Sequence, residues 1–232
     1  LAESLFRALK PGCQLVLVGD ADQLPSVGPG AVLRELLSCG QIPVVRLTKI
    51  YRQSADSPIP INAALIRAGN LHLEYGKDFQ FVECADMACS AGMMEELYLR
   101  EAGRFGVDNV ALLSPFRKKT ETGVNALNPK LREWINPKAP DKPEISHGKR
   151  LFRLGDKVMQ VRNFQDISNG DIGYVAAVEN REDGPVLKVD FGEDRVMEYD
   201  GSQLDLLDLA SAPTIHKSQG SEYDSVIISV QC

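Results

Sequence analysis

Apolar residues follow one rhythm in roughly the first 135 positions of this chain and another after them. Continuous apolar runs at 14–18 and 109–113 have the length and branched content of strands buried on both faces, and 44–47 and 79–84 read as shorter ones. Between them, residues 2–10, 31–37, 60–67, 87–104 and 123–134 carry helical spacing, with stops at Pro11-Gly12, Gly40 and Gly69. Strands alternating with helices predict an α/β fold built on a parallel sheet flanked by helices. Pro137, Pro140 and Pro143 then mark a linker. Past it the pattern shortens to strands at 157–161, 173–178, 186–191 and 195–199. These are separated by Asn169-Gly170-Asp171, Glu182-Asp183-Gly184 and Gly192-Glu193-Asp194. That spacing predicts a small antiparallel β-barrel. Residues 204–209 read as a return to α/β character, and 226–230 as a last buried strand, so the barrel is an insertion.

Composition narrows the picture. Of 232 residues, 44% are apolar, ample for a packed core, and the formal net charge of −6 argues against a uniformly basic nucleic-acid module. The charge is unevenly spread. Residues 114–162 hold 12 Lys/Arg against 5 Asp/Glu, whereas residues 166–208 hold 3 against 12. One region is suited to face a polyanion while another faces water, although two ordinary solvated surfaces would look the same on charge alone. Five cysteines without a Cys-x-x-Cys pair, far in sequence from three histidines, predict no metal site and a reducing, cytoplasmic compartment. No apolar run has transmembrane length. The chain opens inside a helical pattern without Met and stops after a strand, which reads as part of a longer protein.

Two strings carry chemistry. Gly19-Asp20-Ala21-Asp22-Gln23-Leu24-Pro25-Ser26-Val27-Gly28-Pro29-Gly30 follows a predicted strand, at the end where α/β proteins hold ligands. Gly-Asp alone would be a connecting turn capped by Asp20, but a plain turn specifies far fewer residues than this string does. Thr214-Ile215-His216-Lys217-Ser218-Gln219-Gly220-Ser221-Glu222 places a hydroxyl, an imidazole, a cation, an amide and a carboxylate around a glycine ahead of the last strand. These groups suit phosphates and a sugar hydroxyl. Arg117, Lys118 and Lys119 suit phosphate contact or a solvated helix start, and Phe116 suits base stacking or the core. Trp134 and Tyr174 are assigned to the core.

The first string resembles motif III of superfamily 1 helicases, and its Gln-Leu-Pro-Ser-Val-Gly portion resembles the RecD/TraA branch. In chain order, Leu47-Thr48-Lys49-Ile50-Tyr51-Arg52-Gln53 resembles motif IV, and Leu112-Leu113-Ser114-Pro115-Phe116-Arg117 with Asn125-Ala126-Leu127-Asn128 resembles motif IVa. Gly155-Asp156-Lys157-Val158-Met159-Gln160 with Asn169-Gly170-Asp171-Ile172-Gly173 resembles an inserted SH3-like barrel, and residues 214–222 resemble motif V.

The resemblance implies RecA-like motor domains: the tail of the first at 1–42, the second at 43–140 and 204–232, and the SH3-like barrel at 145–203. It implies an ATP-dependent DNA helicase, moving 5′ to 3′ on single-stranded DNA and opening duplex junctions in recombination and repair, with possible helicase–nuclease partner subunits and no membrane. Gln23 and Arg52 would be catalytic at the γ-phosphate of ATP, and Gln219, Gly220 and Glu222 would also hold the nucleotide. Ser114, Pro115, Arg117, Thr214, His216, Lys217 and Ser218 would meet the strand. On position alone, Arg52 is equally an exposed Arg paired with a carboxylate, and His216 a structural hydrogen-bonder. The family's Gly-x-x-x-x-Gly-Lys-Ser/Thr loop, its acidic pair for Mg²⁺ and its motif VI are not in this sequence. The expectation is therefore no ATP hydrolysis by this chain alone. The alternatives are a non-catalytic nucleic-acid-binding or regulatory module, and an RNA-directed motor of the same superfamily.

Overall fold

The computed structural model describes residues 2–24, 30–47, 57–118, 120–182 and 184–230. The chain divides into two compact units, Leu1–Val82 and Glu83–Cys232.

The first unit contains α1 (Ala2–Ala8), α2 (Val32–Ser38) and α3 (Pro58–Arg67). Helix α3 starts where the sequence permits it. Ser57 Oγ accepts from the Ile59 amide at 3.4 Å, and Pro58 fills the first turn, where its missing N–H is not needed. The buried Asn62 then ties α3 to the following segment through both backbone groups of Glu74, at 2.6 and 2.7 Å. The strands expected at 14–18, 44–47 and 79–84 do not form. A strand buried on both faces needs hydrogen-bonded neighbours, and among the described residues none pairs with these runs. Their apolar side chains stand in solvent accordingly, with Val18 and Leu47 each 94% exposed.

The second unit holds two cores. In the first, α4 (Met87–Phe105) is capped by the Asp86 carboxylate on the Cys89 amide at 2.8 Å and stopped by Gly106 at φ +87°. It lays Ala91, Met94 and Tyr98, one helical stripe, against β1 (Val110–Leu113) and α5 (Val124–Ile135).

In the second core, β2 (Glu144–His147) and β3 (Arg150–Arg153) form a hairpin across Gly148. A five-stranded antiparallel sheet follows, built from β4 (Lys157–Gln160), β5 (Ile172–Arg181), β6 (Gly184–Asp190), β7 (Val196–Asp200) and β8 (Leu207–Leu209). Its order is β7-β6-β5-β4-β8. Phe152, Val158, Val175, Leu187, Val189, Tyr199, Leu204 and Leu207 fill its interior. Residues 204–209 are thus not a return to the α/β layer. They form a 3₁₀ turn and then the closing strand, paired to β4, because Leu204 and Leu207 have this core to fill.

The chain then rejoins β1 through β9 (Ser225–Ile228), in parallel register from Val110↔Ser225 to Leu113↔Ile228. Expected to be buried, β9 is only half so. Among the described residues it pairs on one side alone, and Val226 and Ile228 face outward. Trp134 is likewise 66% exposed, since the buried face of α5 is taken by Val124, Leu127 and Leu131. Tyr174 is partly exposed, and its hydroxyl donates to Asp108.

Gly173 in β5 marks a close approach inside the barrel. A Cβ there would lie 2.6 Å from the Asp190 carbonyl oxygen and 2.8 and 2.9 Å from Val189 and Phe191. Gly173→Ala is therefore expected to destabilise the barrel by about 1–3 kcal/mol through overpacking, read as a lowered thermal midpoint. An unchanged midpoint would mean that β6 gives way freely.

Candidate nucleic-acid interface

The candidate face is assembled at the C-terminal end of β1. Ser114 prolongs the strand into a parallel bridge with Thr214: its amide donates to the Pro213 carbonyl at 3.4 Å, and its carbonyl accepts from the Ile215 amide at 3.2 Å. The Ser114 hydroxyl accepts from the Phe116 amide and donates to the Phe116 carbonyl, each at 3.1 Å. Buried and doubly bonded, it shapes the turn that sends Pro115, Phe116 and Arg117 to the surface. The turn leads into α5, whose first amides, Val124 and Asn125, bond the carbonyls of Phe116 and Arg117.

The second string is brought alongside by Asn128. From inside α5 its side chain bonds both backbone groups of Ala212, at 3.0 and 2.7 Å, which fixes the entry to Thr214. Residues Ile215–Ser218 then wind one 3₁₀ turn, with the Lys217 and Ser218 amides on the Thr214 carbonyl at 2.9 and 3.1 Å. His216 is exposed and lies on this turn. Gly220 takes φ +87°, a left-handed conformation that favours glycine, with nothing within 4 Å of where a Cβ would sit. Gln219 and Glu222 flank it, both exposed.

Arg117 and Lys217, 100 positions apart in sequence number, thus act on one another. Burial pushes the Lys217 ammonium below its ordinary range and the Arg117 charge adds to this, while Asp208 opposes it. Lys217 donates to the Asn169 side chain, from the barrel's Asn-Gly-Asp turn. Arg117 pairs with Asp208 on β8. Asp208 also takes Arg150 Nε at 3.1 Å, and Arg150 reaches Asp205 at 3.2 Å, which His147 Nε2 approaches at 3.3 Å. Sequence reasoning did not single out Arg150, Asn169 or Asp208 individually. The one signal present was the basic excess of residues 114–162.

In the first unit, the turn after Gly19 is organised by Asp20. Its carboxylate accepts from the Asp22 amide at 2.9 Å and from Gln23 Nε2 at 3.2 Å, while Asp22 pairs with Arg67. Gly19 leaves room for α2, since a Cβ there would meet Leu33 at 2.8 Å. Asp20 is thus occupied by two donors and Asp22 by a guanidinium. Within the second unit Gln219, Gly220 and Glu222 carry groups of the kind a nucleotide can meet, and within the first Gln23 carries an amide of that kind. Arg52 lies outside the described residues, as do residues 25–29 of the first string.

The chain is similar to known proteins along nearly its whole length. Residues 127–191 match the family described as the ATP-dependent RecD-like DNA helicase SH3 domain, and residues 1–87 match an AAA domain. The ATP-dependent RecD2 DNA helicase of Deinococcus radiodurans is 36% identical over 230 residues, covering 97% of this chain and 30% of that protein. The RecBCD enzyme subunit RecD of Mycobacterium tuberculosis is 31% identical over 251 residues, covering 98% of this chain and 42% of that protein. The chain therefore spans less than half the length of either relative. A solved structure of Pif1 helicases at forked duplex DNA aligns over 78% of this chain and 42% of its own, with TM-score 0.44 and 22% identity. No helix among the described residues is long and apolar enough to cross a membrane. The barrel family, the AAA match and the RecD2 and RecD relatives together support reading this sequence as RecD-type superfamily 1 helicase sequence.

Proposed function

We propose that this chain is the strand-gripping part of an ATP-dependent DNA helicase that moves along single-stranded DNA, 5′ to 3′, and opens duplex junctions. The observation that carries the reading is the convergence of Arg117 and Lys217 from two separate motifs at one sheet end. Two cations held together against their mutual repulsion, one of them partly desolvated, suit a ligand of closely spaced negative charges, and a polynucleotide backbone is one. Pro115, Thr214, His216 and Ser218 stand on the same two turns and would complete the contact, with Ser114 setting the turn.

In this reading residues 1–42 end a first motor domain, residues 43–140 and 204–232, less the 204–209 that close the barrel, belong to a second, and residues 145–203 form the rest of the inserted barrel. Gln23, Gln219, Gly220 and Glu222 would hold ATP together with Arg52, and ATP would supply the free energy of phosphoryl transfer. Mg²⁺ and the phosphate-cradling loop would come from sequence other than this. The RecBCD name of one relative makes helicase–nuclease subunits the partner class to test, in the cytoplasm where the DNA lies.

Replacing Arg117 and Lys217 together by Gln is expected to weaken binding of a fluorescent oligothymidylate about tenfold at physiological salt. The slope of log affinity against log salt should fall by about 0.7 for each phosphate that is no longer neutralised. An unchanged affinity and slope would remove this face from the strand path. Binding retained wholly by the barrel would favour a non-catalytic binding module instead.

A further inference from the structure

Asp208 makes an unusual contact for a carboxylate beside a surface meant for anions. One oxygen holds Arg117 and the other holds Arg150 Nε at 3.1 Å, so a single acidic group bridges two guanidinium groups from separate elements. A phosphodiester offers its two non-bridging oxygens to paired arginines in the same way. We propose that Arg150 of the barrel completes a strand-phosphate subsite with Arg117 and Lys217, and that Asp208 occupies this subsite in place of a phosphate until nucleic acid displaces it. The inference rests on the nucleic-acid reading of this face and adds a residue and a control device to it.

The geometry supports competition over simple bracing. The backbone of Asp208 is held by the pairing of β8 with β4, opposite Met159, so the arginines can exchange its carboxylate for a phosphate without β8 moving. Arg150 has a second carboxylate in Asp205, itself largely exposed and shared with His147, and can turn from Asp208 without losing every partner. Arg117 is half exposed and free to reorient. The cluster retains cationic character even with Asp208 in place, for Arg117, Arg150 and Lys217 outnumber Asp208 and Asp205. The Lys217–Asn169 hydrogen bond attaches the barrel's own turn to the same place. A barrel docked there presents its cation to the strand that the sheet end grips, so barrel and motor would share one phosphate track.

The test is oligothymidylate binding by the intact chain across a salt series, with thermal melting of each variant. Asp208→Asn is expected to tighten binding about three- to tenfold, the scale of removing one or two partly exposed ion pairs from the competitor's side. Glu198→Gln, which removes the same charge from a cluster with Arg181 and Lys188 on the barrel sheet, should leave affinity unchanged. Arg150→Gln should weaken binding and lower the salt slope by about 0.7, and the gain from Asp208→Asn should shrink in the Arg150→Gln background. Asp208→Asn binding no tighter than the unaltered chain overturns the proposal. If that variant melts too low to assay, Arg150→Gln decides, and unchanged affinity and slope overturn it. Loss of binding in Arg117→Gln and Lys217→Gln with no effect at Arg150 or Asp208 sinks this inference alone. No effect at any of the four sinks the nucleic-acid reading as well.

Discussion

Arg153→Ala is expected to lower the stability of the Glu83–Cys232 unit by about 3 kcal/mol, seen as a fall of roughly 6–12 °C in its thermal midpoint. Arg153 is 2% exposed and fully charged. Burial works against its cation, but Glu133 and Glu144 more than offset that and hold the guanidinium above its ordinary range. Its Nε donates to Glu144 at 2.7 Å, Nη2 pairs with Glu133 at 3.2 Å, and Nη1 donates to the Asn136 carbonyl. The backbone amide of Arg153 is held by Asp156, whose other oxygen accepts from Asn136 at 2.8 Å. One side chain thus joins the end of α5 to β2 and β3, where the sheet layer meets the barrel. Removing it leaves the partly buried Glu144 with Lys138 at 3.2 Å as its remaining cation among the described residues. The expected loss sits at the low end for a broken buried pair because Glu133 is 49% exposed and water can take up its charge. Replacing Arg153 and Glu144 together by Met and Leu should recover most of it, since no buried charge then lacks a partner. A single variant as stable as the unaltered protein, or a double variant worse than the single, would show that the network does not carry the junction.

How much of this was legible in the sequence follows from where the stabilising partner lies. The helices were readable because their signals are local: apolar spacing at 87–104 and 123–134, and the stops at Pro11-Gly12, Gly40 and Gly69, act within a turn or two, whereas the Ser57 cap and Pro58 that begin α3 two residues before the expected 60 were missed. The strands of β4 to β7 were readable because tight turns of Asn, Asp and Gly separate alternating runs. The hairpin of β2 and β3 was not, since Pro-rich sequence precedes it and a charged residue, Arg153, takes an inward position that only carboxylates 9 and 20 residues away make tolerable. The apolar runs at 14–18 and 44–47 show the opposite error. Their composition is that of buried strands, but a strand requires a ladder, and composition does not supply one. At the interface, Arg117 and Lys217 could be named from their motifs. Asp208 could not, because its meaning comes from an arginine 91 positions distant.

Arg52→Ala, made in a polypeptide that also carries the phosphate-cradling loop, is expected to cut DNA-stimulated ATP turnover about a thousandfold, the lower end for loss of an arginine that neutralises a transferring phosphoryl group. The assignment rests on Tyr51-Arg52-Gln53 and its place between the Gln23 turn and the strand-binding motifs. Negative charge spreads over the phosphoryl oxygens as the bond to the leaving group stretches, so a guanidinium there contributes more in the transition state than in the ground state. Turnover should therefore fall far more than nucleotide affinity does. Arg52→Lys should recover only part of the rate, because an ammonium restores charge without the planar, two-pronged donor. Oligothymidylate affinity should stay close to that of the unaltered protein, since the proposed strand face draws its cations from Arg117, Lys217 and Arg150 and not from Arg52. That separation is what distinguishes the role from an ordinary exposed ion pair. An exposed pair would give near-normal turnover on substitution, and a strand contact would reduce DNA affinity and salt slope together with rate. Either outcome would return Arg52 to the surface charges and leave the γ-phosphate to another cation.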